Sequence, residues 1–388
     1  MHVQQQHTDE IKGRFQKLES GQDLVDLQNY SKRLLYPDVK DSKPIQLKSV
    51  TYYANPKLCG KRYYQFHIGK KSGGKRTITA PFSGLKLIQR CLNLILTVVF
   101  TPHPAAMGFA NNKSVADNAG LHTKKNYVYN TDLKDFFPSI AFRRVKTVLE
   151  LPPFKLKDEL AFLIANLCCY KGFLPQGAPA SPVLTNMICQ RLDRKLYKLS
   201  KESGCTYSRY ADDITFSSCR HIYKPGGKFL KALKRIIKEE NFSVNESKIR
   251  LQRREYRQVV TGIIVNEKVN LDRRYIQKVR AMLHNWEKHG YEKAKAKFLV
   301  HYKSDKGHVK TGSPEFMNVL AGKLEYMKMI RGNNDLLYKK YADQFLSLMN
   351  EKITGIPAGL NLNNLLDIWE NQGVEKAMEL MNHTKHEN

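Results

Sequence analysis

The chain has 388 residues, of which 41% are hydrophobic, so it can build a substantial core and is not a disordered polymer. Lys and Arg number 65 against 36 Asp and Glu, a formal net charge of +29. Because such an excess opposes compaction, it indicates a polyanionic partner, most often nucleic acid, over a basic surface that contacts only solvent.

Targeting and redox features are few. The amino-terminal stretch MHVQQQHTDE lacks a basic start followed by an apolar core, so no secretory signal is predicted. The most apolar run, Cys91 to Phe100, is about half of the ~20 residues that a membrane span requires, and it predicts a buried helix. Seven cysteines without a CxxC pair favour free, mostly buried thiols in a reducing cytoplasm over disulfides or a zinc site.

The first half of the chain predicts helices and a hairpin. Residues 1–50 are predicted to be polar helices, and KRYYQFHIGKKSGGKRTITAP (61–81) predicts two short strands joined by the turn KKSGGKR. A helix is predicted from Gly84 to Phe100, and Tyr127 to Thr131 predicts a strand that ends at Asp132.

A long helix is predicted after LPQGAPASP (174–182). Ser181 is suited to cap it and Pro182 to its first turn. Apolar residues recur every four positions and give this helix one apolar face, at Leu184, Ile188, Leu192 and Leu196.

The later elements complete an α+β pattern. YSRYADDITFS (207–217) predicts two strands around Asp212 and Asp213, and a helix is predicted from Lys228 to Glu240. VVTGIIVNEKVNL (259–271) predicts a hairpin that turns at Asn266 to Lys268, and the pattern is helical from Arg273 onward. Strands followed by helices indicate an α+β body with a helical C-terminal unit.

Asp212 and Asp213 are two adjacent carboxylates inside a strand-forming run. Mg²⁺ prefers oxygen ligands, and two such ions about 3.5–4 Å apart can clamp the attacking and leaving oxygens of a phosphoryl transfer. That site would need a carboxylate from another strand, for which Asp132 is the candidate. Adjacent aspartates are more often solvated turn residues, so the spacing alone leaves both interpretations open.

Several motifs, in a fixed order along the chain, resemble those of a known protein family. TDLKDFFPSI (131–140), LPQGAPASPVLTN (174–186) and YADD (210–213) together resemble the palm motifs of reverse transcriptases, and the likeness extends from GKRTITAP (74–81) to NESKIRL (245–251). It implies a right-hand polymerase fold of the α+β class. The implied domains are an N-terminal helical extension (1–50), fingers with part of the palm (51–131), palm (132–270), helical thumb (271–335) and a C-terminal helical extension (336–388).

The resemblance also implies roles for the carboxylates and for two other side chains. Asp132, Asp212 and Asp213 take the positions of the catalytic, metal-binding carboxylates, which implies Mg²⁺ in a two-metal site. Phe137 takes the position of the aromatic steric gate, whose ring would clash with a 2′-hydroxyl and so favour dNTPs over rNTPs. A core phenylalanine is the alternative for Phe137, although Phe136 is available for that place.

Other residues resemble the nucleotide-binding positions of the family. Gln176 is implied to line the dNTP pocket, and Arg76 with Lys75 is implied to bind the triphosphate, since a guanidinium can bond phosphate bidentately. Lys70 and Lys71 lie nearby and are equally well explained as a basic turn. Lys248 resembles a lysine that protonates pyrophosphate, with a surface lysine as the alternative.

Two further motifs resemble the signatures of retron reverse transcriptases. Asn118 to His122 fits the pattern NAxxH, and Val260-Thr261-Gly262 fits VTG. They imply RNA-binding roles for Asn118, His122, Val260, Thr261 and Gly262. A satisfied core histidine and a β-bulge at Gly262 are the alternatives.

A retron enzyme is implied to bind its cognate noncoding RNA, to prime from a guanosine 2′-hydroxyl and to copy part of the RNA into branched msDNA. The resemblance further implies defence against phage with an accessory effector protein, in the cytoplasm and without membrane contact. Aromatic and basic residues interleave in HNWEKHGYEKAKAKFLVHYKSDKGHVK (284–310), which suits unpaired RNA, although a core-facing aromatic stripe explains them equally well. A group II intron-like or diversity-generating reverse transcriptase, or an RNA- or effector-binding scaffold on a polymerase fold, is the alternative.

Overall fold

The structure, a computed structural model, describes residues 4–39, 43–69, 73–304 and 314–352. Contacts between Cα atoms divide the chain into a first unit that ends at Thr261 and a second that begins at Gly262. Helices and antiparallel sheets occur together, which confirms the predicted α+β class.

The amino-terminal part of the first unit is helical, as the sequence predicted. The helices are α1 (Gln5–Gln16), α2 (Gly21–Leu35), α3 (Leu47–Ala54) and α4 (Ser83–Val99). In α2, the Ser20 side chain accepts from the Asp23 backbone N–H while the Asp23 carboxylate accepts from Ser20, a capping box that stabilises the helix start. Helices α1 and α2 pack against α4, whose apolar run is buried as expected. None of the described helices is long and apolar enough to span a membrane.

A hairpin follows α3. Strands β1 (Tyr63–Gly69) and β2 (Lys75–Pro81) pair antiparallel with Gly69 opposite Lys75, which confirms the predicted hairpin. Lys70 and Lys71 lie outside the described residues.

A four-stranded antiparallel sheet forms the centre of the first unit. Its strands are β3 (Tyr127–Asp132), β4 (Thr206–Tyr210), β5 (Asp213–Ser218) and β6 (Arg250–Arg253), in the order β4-β5-β3-β6. The other helices of the first unit are α5 (Val115–Gly120), α6 (Phe142–Glu150), α7 (Asp158–Cys168), α8 (Ser181–Glu202) and α9 (Lys228–Glu239). On one face the ring of Phe216 packs on Phe229 of α9, and Tyr207 bonds to Asp193 of α8. Helices α8 and α9 therefore cover that face and leave the other for different partners.

Helix α8 differs from the prediction at its start. Its four apolar positions are buried and Pro182 lies in the first turn, as predicted. The prediction that Ser181 caps the helix is wrong, because Ala180 is the N-cap and Ser181 is the first helical residue. The Ser181 hydroxyl instead donates to the Pro175 carbonyl at 2.7 Å, which fastens the preceding loop to the helix.

Strand β7 (Val259–Val260) ends the first unit, and the second unit is mainly helical. Its elements are β8 (Ile263–Ile264), α10 (Arg273–His289), α11 (Tyr291–Ser304), α12 (Phe316–Arg331) and α13 (Leu336–Lys352). Ile264 and Asn270 exchange backbone hydrogen bonds, which confirms a hairpin turn between them. Trp286 packs edge-on against Tyr291, Phe316 and Phe345, so the aromatics at the start of the 284–310 stretch are core residues.

Candidate active site

Sheet pairing brings the three predicted carboxylates together. Asp132 ends β3 directly opposite Asp213, the first residue of β5. Asp212 occupies the turn between β4 and β5, and its carbonyl accepts from the Leu133 N–H at 3.0 Å. Side chains opposite one another in an antiparallel pair project from the same face, so Asp132 and Asp213 share the face that α8 and α9 leave uncovered.

The turn that carries Asp212 has little freedom. Ala211 adopts φ +57°, a left-handed conformation that costs free energy in a residue with a Cβ. The backbone at Gly108, in the segment before α5, packs closely against Ala211, since a Cβ on Gly108 would lie 2.5 Å from the Ala211 nitrogen. The Met107 N–H donates to the Arg209 carbonyl at 2.8 Å and holds this segment along β4.

The carboxylates repel one another. Desolvation raises the pKa of Asp213 to about 6, with further contributions from the charges of Asp212 and Asp132. The pKa of Asp212 is also raised, first by desolvation and then by Asp132. Lys248 Nζ lies 2.5 Å from Asp132 Oδ2. Desolvation lowers the pKa of Lys248, but the hydrogen bond to Asp132 and the charges of the carboxylates outweigh desolvation, so the lysine pKa is raised.

These residues suit a hard divalent cation. Their donors are carboxylate oxygens, and the pKa values of Asp212 and Asp213 are raised first by desolvation and then by mutual repulsion, both of which a bound cation would offset. Among the described residues, no group of three or more His, Cys, Asp or Glu is already arranged as a metal site. The fit therefore rests on the donor type and the charge of the cluster.

The residues predicted to bind the nucleotide lie on β2 and on the loop before α8. Arg76 and Lys75 are exposed, and the positive charge of Arg76 acts to lower the pKa of Asp212, so Arg76 is electrostatically close to the carboxylates. The Gln176 carbonyl accepts from the Thr79 N–H at 2.8 Å. Gly177 has φ +118°, and a Cβ there would lie 2.5 Å from Ile78 Cγ2, so the loop can pack on β2 only with glycine.

The two neighbouring phenylalanines have different surroundings. Phe136 is buried and packs on Phe242, with ring centroids 5.7 Å apart. Phe137 is half-buried, and its ring lies 6.4 Å from that of Phe109. Phe136 thus takes the core position, and the steric-gate role of Phe137 stays a prediction.

A buried network beneath the turn was not predicted from the sequence. Arg209 and Asp193 are both fully buried and form two hydrogen bonds, at 2.7 and 2.8 Å. Arg209 also donates to the Ala211 carbonyl at 2.9 Å and to Asn186 Oδ1 at 3.0 Å. A signal existed, because Asn186 and Asp193 are polar residues seven positions, or two turns, apart and so project from one side of α8.

The two short signatures lie beside the sheet, and most of their side chains are inaccessible. Asn118, His122 and Val260 are buried, Thr261 is half-buried, and Gly262 is exposed with φ +85°. Desolvation lowers the pKa of His122 to about 3, so its ring is neutral at physiological pH. Burial favours the core-histidine alternative, and direct RNA contact by these residues stays a prediction.

Comparisons with known proteins agree with the motifs. The family model described as reverse transcriptase (RNA-dependent DNA polymerase) matches residues 68–299, more than half of the chain. The retron Mx65 reverse transcriptase of Myxococcus xanthus is 34% identical over 272 residues, covering 64% of this chain and 62% of that protein. The retron Ec86 reverse transcriptase of Escherichia coli is 33% identical over 227 residues, covering 58% of this chain and 70% of that protein.

The chain thus spans less than two thirds of the Mx65 protein. Among solved structures, a Candida albicans telomerase in complex with a fragment of telomeric RNA is similar with a TM-score of 0.42 and 10% identity. That match covers 76% of this chain and 64% of the telomerase chain.

Proposed function

Because the chain belongs to the reverse transcriptase family, and within it to the retron type, we propose that it is an RNA-directed DNA polymerase. The observation that carries the proposal is the placement of Asp132 opposite Asp213, with Asp212 in the adjoining turn. Three carboxylates from two strand ends are the donor set that metal-assisted phosphoryl transfer requires.

Asp132, Asp212 and Asp213 would hold Mg²⁺, which when bound neutralises charge on the phosphates and on the attacking 3′-oxygen. The other residues act on the substrate. Arg76 and Lys75 bind the triphosphate, and Lys248, already beside Asp132, is placed to give a proton to the leaving pyrophosphate. Gln176 borders the nucleotide, and Phe137 excludes the 2′-hydroxyl of an rNTP.

The proposed template is the cognate noncoding RNA of a retron, primed from a guanosine 2′-hydroxyl and copied into branched msDNA from dNTPs. The named retron enzymes among its relatives support this, and so does the net charge of +29. A phosphate-rich partner bound by so basic a protein should dissociate as salt is raised. We further propose a cytoplasmic role in phage defence, together with an effector protein.

The test is to purify the full chain from its host, sequence the nucleic acid bound to it, and measure extension of a DNA primer on an RNA template with Mg²⁺ and dNTPs. Branched RNA–DNA bound to the chain, and extension that is lost in Asp212→Asn, support the proposal. Bound intron RNA would favour an intron-like enzyme. Extension at the wild-type rate by Asp212→Asn would contradict the assignment of the site.

A further inference from the structure

A layer of buried polar side chains continues the face that carries Asp132 and Asp213. One step further along the strands on that face, Asn130 lies opposite Thr215, and Ser208 of β4 also lies opposite Thr215. Ser217 follows on the same face. Thr215, Ser208 and Ser217 are at most 1% exposed. Buried hydroxyls need hydrogen-bond partners, so a polar group packed on this face of the sheet must supply them.

His122 supplies partners to two of these hydroxyls. Its Nδ1 lies 2.7 Å from Ser217 Oγ, and its Nε2 lies 2.7 Å from Ser208 Oγ. Ser208 is in β4 and Ser217 is in β5, the two strands that lead into and out of the turn at Asp212. One buried ring therefore bridges the catalytic pair of strands.

The direction of each bond follows from the number of protons available. Ser208 Oγ donates its single proton to Asn118 Oδ1 at 2.7 Å, so toward His122 it can only accept. His122 must then carry its proton on Nε2, which leaves Nδ1 as the acceptor for the Ser217 hydroxyl. The chain of bonds runs in one direction from Ser217 to Asn118 and uses the neutral ring in one tautomer.

Strand β7, which leads into the VTG signature, is connected to the same sheet through Gln252 of β6. The Gln252 side chain accepts from the Val259 N–H at 2.8 Å and donates to the Val259 carbonyl at 2.9 Å. Its amide also donates to Asn130 Oδ1 at 2.5 Å, and Asn130 Nδ2 donates to Thr215 Oγ1 at 3.0 Å. Thr215 is two residues beyond Asp213, so this route also ends beside the carboxylates.

A longer bond joins the two signatures directly. Asn118 Nδ2 lies 3.4 Å from Thr261 Oγ1, near the limit for a hydrogen bond and the weakest link of the network. The two motifs are separated by more than a hundred residues in sequence, yet this bond and the Gln252 contacts connect Thr261 and Val259 to the residues of the four-stranded sheet.

We propose that the NAxxH motif and Thr261 of the VTG motif form one positioning unit for the catalytic strands, in which His122 is a positioning residue that fixes β4 against β5 and so places Asp212 and Asp213. This rests on the proposed polymerase function. It assigns His122 and Asn118 to the support of the carboxylates and not to a contact with RNA. Small displacements are costly in such a site, because a shift of about 1 Å in reacting groups can slow a reaction about 100-fold.

The test uses His122→Phe, which keeps a ring of similar size and removes both hydrogen bonds, and His122→Gln, which retains one donor and one acceptor. Ser217→Ala removes a single bond of the bridge. Its matched control is Ser31→Ala in α2, a fully buried serine whose hydroxyl has no hydrogen-bond partner in the described part of the chain. The probe is a fluorescent DNA primer annealed to a synthetic RNA template, on which kcat and KM for one dNTP and the Kd of the duplex are measured.

We expect kcat of His122→Phe to fall about 10- to 100-fold, with KM and Kd within about twofold of wild type, and His122→Gln to recover much of the loss. A kcat within about threefold of wild type, or a rise in Kd as large as the fall in kcat, would overturn the proposal. If His122→Phe does not fold, Ser217→Ala decides: kcat below that of Ser31→Ala supports the unit, and equal values refute it. A wild-type chain that cannot extend the primer would instead refute the polymerase function.

Discussion

Arg209 and Asp193 form a fully buried ion pair directly beneath the turn that presents Asp212, with the Arg209 Nη2 and Asp193 Oδ2 atoms 2.7 Å apart. Burial opposes the charge of the guanidinium, but the Asp193 carboxylate outweighs that effect and raises the Arg209 pKa. Because Arg209 also bonds the Ala211 carbonyl, the pair supports the turn that carries Asp212, on the face of the sheet opposite His122.

Asp193→Ala should destabilise the protein by about 3–5 kcal/mol, since it leaves the Arg209 charge buried without its partner. Urea unfolding of the full chain measures this. Glu239→Ala is the matched control, because Glu239 pairs with Lys195 at the surface and should cost only about 0–1 kcal/mol. A loss from Asp193→Ala no larger than that of the control would show that the pair does not hold the turn.

Asp213→Asn should abolish primer extension and yet raise the melting temperature of the metal-free protein at pH 8. The folded-state pKa of Asp213 is about 6, above its ordinary value of 3.8, so its ionised form opposes folding above pH 6. That penalty shrinks as pH falls from 6 and is absent below about 4. Calorimetry should therefore show the two melting temperatures converging at acid pH, and a constant difference would argue against desolvation of Asp213.

As the pH is lowered, the free energy of unfolding of the wild type should fall more steeply than that of His122→Gln. The folded-state pKa of His122 is about 3 and its ordinary value is 6.5, so protons bind the unfolded chain first. Stability from neutral His122 is complete above pH 6.5 and is lost by up to about 1.4 kcal/mol per pH unit toward pH 3. Urea titrations at pH 7, 6 and 5 test this, and parallel curves would show that His122 titrates normally.

Phe137→Ala should increase incorporation of rNTPs relative to dNTPs, because the half-buried ring would no longer meet the 2′-hydroxyl. Phe136→Ala is its neighbour and control: the buried ring packs on Phe242, and its removal should cost about 3–5 kcal/mol of stability without changing sugar selectivity. Competition between a dNTP and its rNTP on an RNA template gives the ratio. If selectivity changes in Phe136→Ala alone, the gate is not Phe137.

The sequence was sufficient for the features that depend on local pattern. The four-residue apolar repeat of α8, the hairpin around the glycine-rich turn and the strand ending at Asp132 are present as predicted. The order of the motifs also identified the carboxylates that the sheet brings together.

Features that depend on distant partners were not accessible from the sequence. His122 bonds serines that are 86 and 95 residues away, so neither its burial nor its neutral state follows from its neighbours in the chain. Ser181 has a cap-forming side chain, but the Pro175 carbonyl competes for its hydroxyl once the loop folds back. Trp286 and Tyr291 stand among basic residues in sequence, yet tertiary packing places them in a core.

The bond from the Thr79 N–H to the Gln176 carbonyl, with Gly177 packed on Ile78, has a consequence for motion. Strand β2 carries Arg76 and the loop carries Gln176, and this contact couples their displacements. If the hairpin moves so that the Arg76 guanidinium approaches an incoming triphosphate, as proposed, we expect the loop to move with it. The two sides of the proposed nucleotide pocket should therefore move together, with a single relaxation rate, and not independently of each other.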